Sequence, residues 1–98
     1  MIELHYSPTD ASMTPHIILE ELGLPFELVL VDRSVNAQKS SEYLQLNPNG
    51  TIPTLVHDDL VLFETAAIAI YLAELKPEAG LVPSVGTAER GTFYKWMF

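Results

Sequence analysis

The first thirty positions show two kinds of hydrophobic pattern. One is typical of strands and the other is typical of a helix. Ile2–Tyr6 alternates apolar and polar residues and predicts a half-buried strand. Thr14 and Pro15 predict the start of a helix, with Thr14 as its cap and Pro15 in the first helical position, where a missing N–H costs little. Gly23 ends that helix, and Phe26–Val31, rich in Leu and Val, predicts a second, well-buried strand. The chain therefore opens as strand, helix, strand.

The middle of the chain continues with three further predicted elements and a turn. A short helix is predicted at Glu42–Leu46. Thr54–Val56 and Leu60–Leu62 flank a polar turn, which predicts a β-hairpin. Ala66–Leu75 carries apolar residues at helical spacing and predicts a longer helix. The predicted order is β-α-β-α-β-β-α, which indicates an α/β fold.

The chain changes character after residue 76. Proline and glycine recur within ten positions, at Pro77, Gly80, Pro83 and Gly86, and indicate a linker over residues 77–87. Ala88–Phe98 then predicts a helix that carries bulky side chains without an obvious partner in the sequence. We therefore expect residues 1–76 to form one domain and residues 88–98 to begin a truncated helical second domain.

Charge and composition narrow the class of protein. The 98 residues include 13 acidic and 5 basic side chains, and the formal charge of −8 repels nucleic acid and anionic membrane surfaces. No run of ~18 apolar residues indicates a membrane span, and no secretory leader is present, so a soluble cytoplasmic chain is expected.

Cysteine and histidine bear on redox and metal chemistry. Because Cys is absent, disulfide exchange on the protein itself and a thiolate metal site are excluded, and any sulfur chemistry must come with a ligand. His5, His16 and His57 are scattered over a strand, a helix and a turn, without the spacing of a metal pair. We expect no metal site.

Two longer stretches carry a family resemblance. Asn47–Leu55, with Pro53 directly before the third strand, and Phe63–Leu72, at the junction of a strand and a helix, resemble the N-terminal domain of soluble glutathione transferases. Tyr6–Ile17 looks most like the bacterial members. The resemblance implies a thioredoxin-like fold with a four-stranded mixed sheet, followed by an all-helical second domain.

The resemblance implies where the tripeptide glutathione would bind. It implies a cis peptide bond before Pro53, so that the N–H and C=O of Ile52 can pair with the cysteinyl backbone as an added strand does. Thr65 would hold the γ-glutamyl carboxylate at a helix start, and Glu64 would pair with its ammonium. An ordinary loop proline, and a helix cap beside a solvated acid, are the alternatives.

Catalysis in this family makes the glutathione thiol a thiolate near the start of the first helix. Close bacterial relatives often have Cys where this chain has Ala11, so the next residue, Ser12, is the candidate hydroxyl donor. Thr9 and Tyr6 are the alternative donors, and the alternative role for Ser12 is that of a helix cap only. Arg33 and Lys39 are the nearest cations for the glycine carboxylate, but neither aligns with the family's basic residue.

The predicted function is that of a glutathione-binding domain whose intact protein adds glutathione to a small electrophile, with glutathione as co-substrate and a homodimer as the assembly. The fragment alone is expected to have little activity. The alternative is a non-catalytic interaction module of the same fold that associates through the surface at Phe93–Phe98.

Overall fold

The computed structural model describes residues 1–98 and contains four strands and four α-helices. The strands are β1 (Ile2–Tyr6), β2 (Phe26–Leu30), β3 (Thr54–His57) and β4 (Leu60–Phe63). The helices are α1 (Met13–Leu22), α2 (Ser41–Leu46), α3 (Thr65–Glu74) and α4 (Ala88–Met97). Short 3₁₀ turns occur at Arg33–Val35, Ala37–Lys39 and Pro77–Ala79. The predicted β-α-β-α-β-β-α order is confirmed.

The strands form one mixed sheet in the order β2-β1-β3-β4. β1 and β2 are parallel, whereas β3 is antiparallel to both β1 and β4. Thr54, at the start of β3, lies opposite His5 and Phe63, and Tyr6 lies opposite Leu30. The segments that follow β1, β2 and β4 therefore leave the sheet at the end where the segment before β3 enters it. We call this end, marked by Tyr6, Leu30, Thr54 and Phe63, the upper end of the sheet.

The core lies between one face of the sheet and the helices α1 and α3, which pack against each other. Its buried side chains are all aliphatic: Ile2, Leu4, Leu19, Leu22, Leu55, Ile68 and Leu72. Burial of each contributes on the order of 1.5–3 kcal/mol, which fixes α1 and α3 on the sheet. The short helix α2 lies over the opposite face, where Tyr43 contacts Thr54 and the His5 ring.

Helix α1 begins two residues earlier than predicted. Its first residue is Met13, so Thr14 is not the cap and Pro15 occupies the third helical position. Proline is tolerated there because the first four N–H groups of a helix have no intrahelical partner. Gly23 ends the helix in the left-handed conformation, at φ 68°, as predicted.

Strand β2 is not well buried, and that prediction was wrong. It lies at the edge of the sheet, and Leu28 and Leu30 remain 40% and 55% exposed. The Leu and Val content predicted a well-buried strand, but the position of a strand in the sheet decides its burial, and only β1 flanks β2. Val31, directly after the strand, is buried.

Helix α4 is anchored to the rest of the chain by Arg90. The Arg90 guanidinium is buried and donates to the Glu74 carboxylate of α3, the Pro83 carbonyl and the Tyr94 hydroxyl. Trp96, by contrast, is 79% exposed. The helix predicted over residues 88–98 is therefore present, while the division of the chain into domains stays a prediction. None of the helices has the length and apolar character that crossing a bilayer requires.

Candidate functional site

The residues predicted to bind glutathione all belong to segments at the upper end of the sheet. Ser12 ends the loop of residues 7–12 that follows β1, and Ile52 and Pro53 directly precede β3. Glu64 and Thr65 directly follow β4. Because Thr54 pairs with both His5 and Phe63, β3 lies between the other two strands at this end. The fold therefore brings the three predicted groups to neighbouring strand ends.

The loop of residues 47–54, which we call the braced loop, is held by a buried polar network. The Asn47 side chain donates to the Thr51 carbonyl at 3.0 Å and to the Thr54 hydroxyl at 3.1 Å, and accepts from the Asn49 N–H at 3.0 Å. The Tyr43 hydroxyl bonds the same two oxygens of Thr51 and Thr54. Asn47 and Thr54 are 0% exposed. Each buried group has a partner, and satisfied networks of this kind make a loop rigid.

Burial also affects ionisation within this network. Desolvation raises the pKa of the Tyr43 phenol, and the hydrogen bonds from Thr54 and Asn47 offset part of that effect. The phenol therefore stays protonated at neutral pH and can donate its hydrogen within the network.

The backbone at Ile52 is open to a partner. The Ile52-Pro53 peptide bond is cis. Ile52 lies outside every helix and strand, and neither its N–H nor its C=O takes part in the remaining backbone or side-chain hydrogen bonds. An unpaired donor and acceptor next to the first residue of β3 can accept one added strand.

The start of α3 exposes further unpaired backbone donors. Glu64 has φ 80° and ψ 117°, a conformation that costs roughly 1–3 kcal/mol in a residue other than glycine and is found mostly at functional sites. No side chain caps α3. The backbone hydrogen bond that begins the helix runs from the Ile68 N–H to the carbonyl of Glu64, the residue directly before it. The N–H groups of Thr65 and the next two residues are therefore available to an anion, at the positive end of the helix dipole.

Ser12 lies in the loop of residues 7–12, which we call the serine loop. Its side chain is buried, at 2% exposure, and its hydroxyl accepts from the Ser7 N–H at 3.2 Å. The hydroxyl oxygen is 2.8 Å from the Ser7 carbonyl and 2.6 Å from Asp10 Oδ1, and its single hydrogen can serve only one of them at a time. Asp10 Oδ1 also accepts the Ser12 N–H at 2.8 Å.

The two alternative donors lie in different surroundings. Thr9 is exposed, with φ 57°, and its hydroxyl donates to the Pro8 carbonyl at 2.7 Å. Tyr6 is half-buried at the end of β1, and its hydroxyl makes no hydrogen bond within the chain. Ser12 is thus the most constrained of the three hydroxyls.

The structure separates the two cations that sequence reasoning left unassigned. Arg33 Nη1 lies 3.4 Å from Asp10 Oδ2, so Arg33 faces the serine loop. Lys39 makes no ion pair, and its Nζ lies so close to Gly50 that a Cβ there would stand 2.8 Å from it. Gly50 has φ 63° and precedes Thr51 and Ile52, so the Lys39 ammonium lies beside the braced loop.

Sequence reasoning missed four residues that shape the site. Tyr43, Asn47 and Thr54 brace the loop before Ile52, and Asp10 holds Ser12. Two local signals were available: Asn47 begins an Asn-Pro-Asn-Gly turn, and Asp10 stands two residues before the amide it accepts, as in an Asx turn. The contact between Tyr43 and Thr54 joins distant parts of the chain and has no local signal.

Comparison with known proteins gives a consistent result. The family model described as "Glutathione S-transferase, N-terminal domain" matches residues 4–74. Glutathione S-transferase GST-4.5 of Xanthomonas campestris pv. campestris is 38% identical over 96 residues, 98% of this chain and 46% of the relative. Disulfide-bond oxidoreductase YfcG of Escherichia coli strain K12 is 36% identical over 105 residues, 100% of this chain and 47% of the relative.

Solved structures agree. A glutathione transferase homolog from Sulfitobacter, determined with bound glutathione, superimposes with a TM-score of 0.85 at 39% identity, over 96% of this chain and 47% of that one. The chain spans about half the length of the curated relatives it matches. The predicted thioredoxin-like fold is confirmed, and the chain belongs to the glutathione S-transferase family, whose N-terminal domain it contains.

Proposed function

We propose that this chain is the glutathione-binding part of a glutathione transferase, which activates the thiol of glutathione for addition to a small electrophile. The observation that carries the proposal is the unpaired N–H and C=O of Ile52, which stand beside the uncapped start of α3. The unpaired Ile52 backbone can pair with the backbone of a peptide, and the uncapped start of α3 can bind the free carboxylate of that peptide. Relatives named as glutathione transferases, one of them solved with glutathione, support the assignment.

Glutathione fits the upper end of the sheet in length and charge. Two strand spacings, from β1 to β4, amount to ~10 Å, which is close to the span of an extended tripeptide. We propose that Ile52 pairs with the cysteinyl backbone beside Pro53. Thr65 and the N–H groups after it would hold the γ-glutamyl carboxylate, and the exposed Glu64 would pair with the adjacent ammonium. We propose Lys39, whose ammonium lies beside Gly50, as the partner of the glycine carboxylate.

We propose Ser12 as the residue that stabilises the thiolate. Lowering a thiol pKa by ~2 units requires ~2.7 kcal/mol, and a hydrogen bond to a charged group contributes ~1.5–3 kcal/mol. One hydroxyl near the start of α1 is therefore sufficient. Thr9 and Tyr6 are the alternatives, and substitution of each in turn distinguishes them.

The remaining assignments concern the whole protein. We propose a homodimer, supported by the exposed Trp96 on α4 and Phe98 directly after it, which offer apolar area for assembly. We propose a cytoplasmic location, where glutathione keeps thiols reduced. No group of three or more His, Asp or Glu side chains is arranged to hold a metal ion, and the proposed chemistry uses none.

A second candidate function follows from the relative named as a disulfide-bond oxidoreductase. The chain has no Cys, but a glutathione thiolate held at Ser12 can attack a disulfide as well as a carbon electrophile. The attack forms a mixed disulfide with glutathione and releases the other sulfur as a thiolate. Comparing turnover of an aryl halide with turnover of a small disulfide separates the two reactions.

The test is a titration with glutathione while backbone amide NMR shifts are followed. Shifts concentrated at Ile52, Thr65 and Ser12 are expected, with none at Gly23, which lies at the far end of α1. Unchanged amide shifts at Ile52, Thr65 and Ser12, together with stable oligomers in solution, would contradict the proposal and favour the non-catalytic interaction module.

A further inference from the structure

The Ser12 hydroxyl has two hydrogen-bond acceptors within reach, and the two bonds differ in strength. One lone pair of its oxygen is used by the Ser7 N–H. Its hydrogen can point to the Ser7 carbonyl at 2.8 Å or to Asp10 Oδ1 at 2.6 Å. Hydrogen bonds to an ionised acceptor are shorter and roughly twice as strong as neutral ones. The hydrogen therefore rests on Asp10.

This direction of the hydrogen limits what Ser12 can offer to a sulfur atom. With its hydrogen on Asp10, the hydroxyl has only its second lone pair left, which can accept from an S–H group but cannot donate to a thiolate. The Asp10 charge acts in the same sense, because a second negative charge nearby is disfavoured. Both effects favour the protonated thiol.

Arg33 opposes this effect. Its Nη1 lies 3.4 Å from Asp10 Oδ2, the oxygen that does not bond Ser12. The positive charge of Arg33 weakens the hydrogen bond from the Ser12 hydroxyl to the carboxylate. The Arg33 side chain is 56% exposed, so salt screens its contribution. A second ionisable group that senses the Asp10 charge is Tyr43 of α2: its pKa is raised chiefly by burial and, to a smaller extent, by that charge.

We propose that Asp10 is a positioning residue that controls the direction of the Ser12 hydroxyl hydrogen, and thereby whether bound glutathione is held as thiol or as thiolate. When the hydrogen turns from Asp10 to the sulfur, the thiol loses its proton to solvent and the hydroxyl donates to the resulting thiolate. This inference rests on the proposed function of the site. It assigns to Asp10 and Arg33 opposite effects on the same ionisation.

The test measures the thiolate fraction of bound glutathione against pH, from the ultraviolet absorbance of the thiolate. Asp10→Asn keeps the shape of the side chain and an acceptor for the Ser12 N–H, but removes the charge. It should raise the thiolate fraction at a fixed pH below the midpoint by at least about threefold, which corresponds to half a pKa unit. Arg33→Gln, at an exposed position that tolerates substitution, should lower that fraction.

Two controls distinguish positioning from a structural role. In a Ser12→Ala background the effect of Asp10→Asn should fall by more than half, because only the charge effect remains. The affinity for S-methylglutathione, which has no ionisable thiol, should change by less than about twofold in Asp10→Asn. Equal losses of affinity for both ligands with an unchanged midpoint would overturn the inference and make Asp10 merely structural.

The two proposals fail in different ways. If the unsubstituted protein binds neither glutathione nor S-methylglutathione, the proposed function fails and this inference fails with it. If both ligands bind but Asp10→Asn leaves the midpoint unchanged or raises it, only the inference about Asp10 is overturned.

Discussion

The braced loop and the serine loop meet at the same end of the sheet but are built differently. In the braced loop, Asn47 and Tyr43 satisfy the buried oxygens of Thr51 and Thr54, and the Ile52 backbone is left free. In the serine loop, the hydroxyl of Ser12, the proposed thiolate donor, is engaged by its own neighbours, Ser7 and Asp10.

We infer from this difference that the proposed recognition and the proposed activation of glutathione depend on different physical properties. The braced loop presents backbone groups in a fixed position, so binding loses little ordering entropy there. The serine loop holds the buried Ser12 hydroxyl, whose hydrogen, in the proposed mechanism, changes its acceptor before it stabilises a thiolate. We therefore expect substitutions in the braced loop to act on stability and affinity, and substitutions in the serine loop to act on ionisation and rate.

The largest expected effect is on the stability that the polar network gives to the braced loop. Asn47→Ala leaves buried oxygens of Thr51 and Thr54 short of a donor, and should lower the free energy of unfolding by about 2 kcal/mol. Chemical denaturation measures this change, and glutathione affinity should fall with it. The matched control is Asn49→Ala, in the same turn but exposed, which should cost less than about 0.5 kcal/mol. Equal losses in the two variants would contradict the bracing role.

The next effect concerns the serine loop. In the intact protein, Ser12→Ala should lower turnover of an aryl halide at pH 7 by at least about tenfold, close to 1.4 kcal/mol in the barrier, because the thiolate loses its donor. Affinity for S-methylglutathione should hardly change. Steady-state kinetics and calorimetry make the measurement. An unchanged rate would remove Ser12 from the mechanism and direct attention to Thr9 and Tyr6.

A smaller effect comes from the Tyr43 phenol. Because burial raises the Tyr43 pKa above the ordinary 10.0, the folded chain keeps a proton that the unfolded chain loses, so stability is full below pH 10 and falls as pH rises beyond it. Tyr43→Phe should cost about 1 kcal/mol at pH 7, through the lost hydrogen bond, and should weaken the alkaline decline. Tyr6→Phe, whose hydroxyl has no partner, is the control. An alkaline decline of full size in Tyr43→Phe would assign it to another group.

The smallest effect lies far from both loops. The N-terminal ammonium donates to Asp58 at 3.0 Å and, by that hydrogen bond, lowers the Asp58 pKa below its ordinary 3.8. The lowered pKa gives stability that is present above pH 3.8 and is lost as pH falls through the folded value. Both groups are exposed, so Asp58→Asn should alter acid unfolding only slightly and glutathione binding not at all. A change in glutathione affinity would contradict the separation of this pair from the site.

The sequence predicted the elements well where the signal is local. Gly23 ends α1, the Asp58 turn joins β3 to β4, and apolar spacing marks α3, because each depends on residues close in the chain. Burial of β2 was predicted wrongly, since Leu28 and Leu30 carry no information on whether a strand lies at the edge of a sheet. The start of α1 was misplaced at Thr14. Ser12, the residue directly before the helix, gives no capping signal because its hydroxyl bonds within the loop and not to the helix.

The candidate glutathione-binding residues were predicted through the family resemblance, and their role stays a prediction. A proline before a strand and a polar pair before a helix also have ordinary structural explanations, so Ile52, Pro53, Glu64 and Thr65 would not have been assigned from local pattern alone. The bonds of Tyr43 to Thr54 and of Arg33 to Asp10 join residues far apart in the chain, so no local pattern announces them. The position of Arg33 beside Asp10 and that of Lys39 beside Gly50 likewise depend on the tertiary structure.

The most direct test of the account is hydrogen exchange at the Ile52 amide with and without glutathione. The account predicts at least about tenfold slower exchange when glutathione is bound, because the open N–H gains a carbonyl partner. The Gly23 amide, already bonded to the Leu19 and Glu20 carbonyls, should exchange at the same rate in both states. Saturating glutathione with unchanged exchange at Ile52 would contradict the claim that this backbone pairs with the tripeptide.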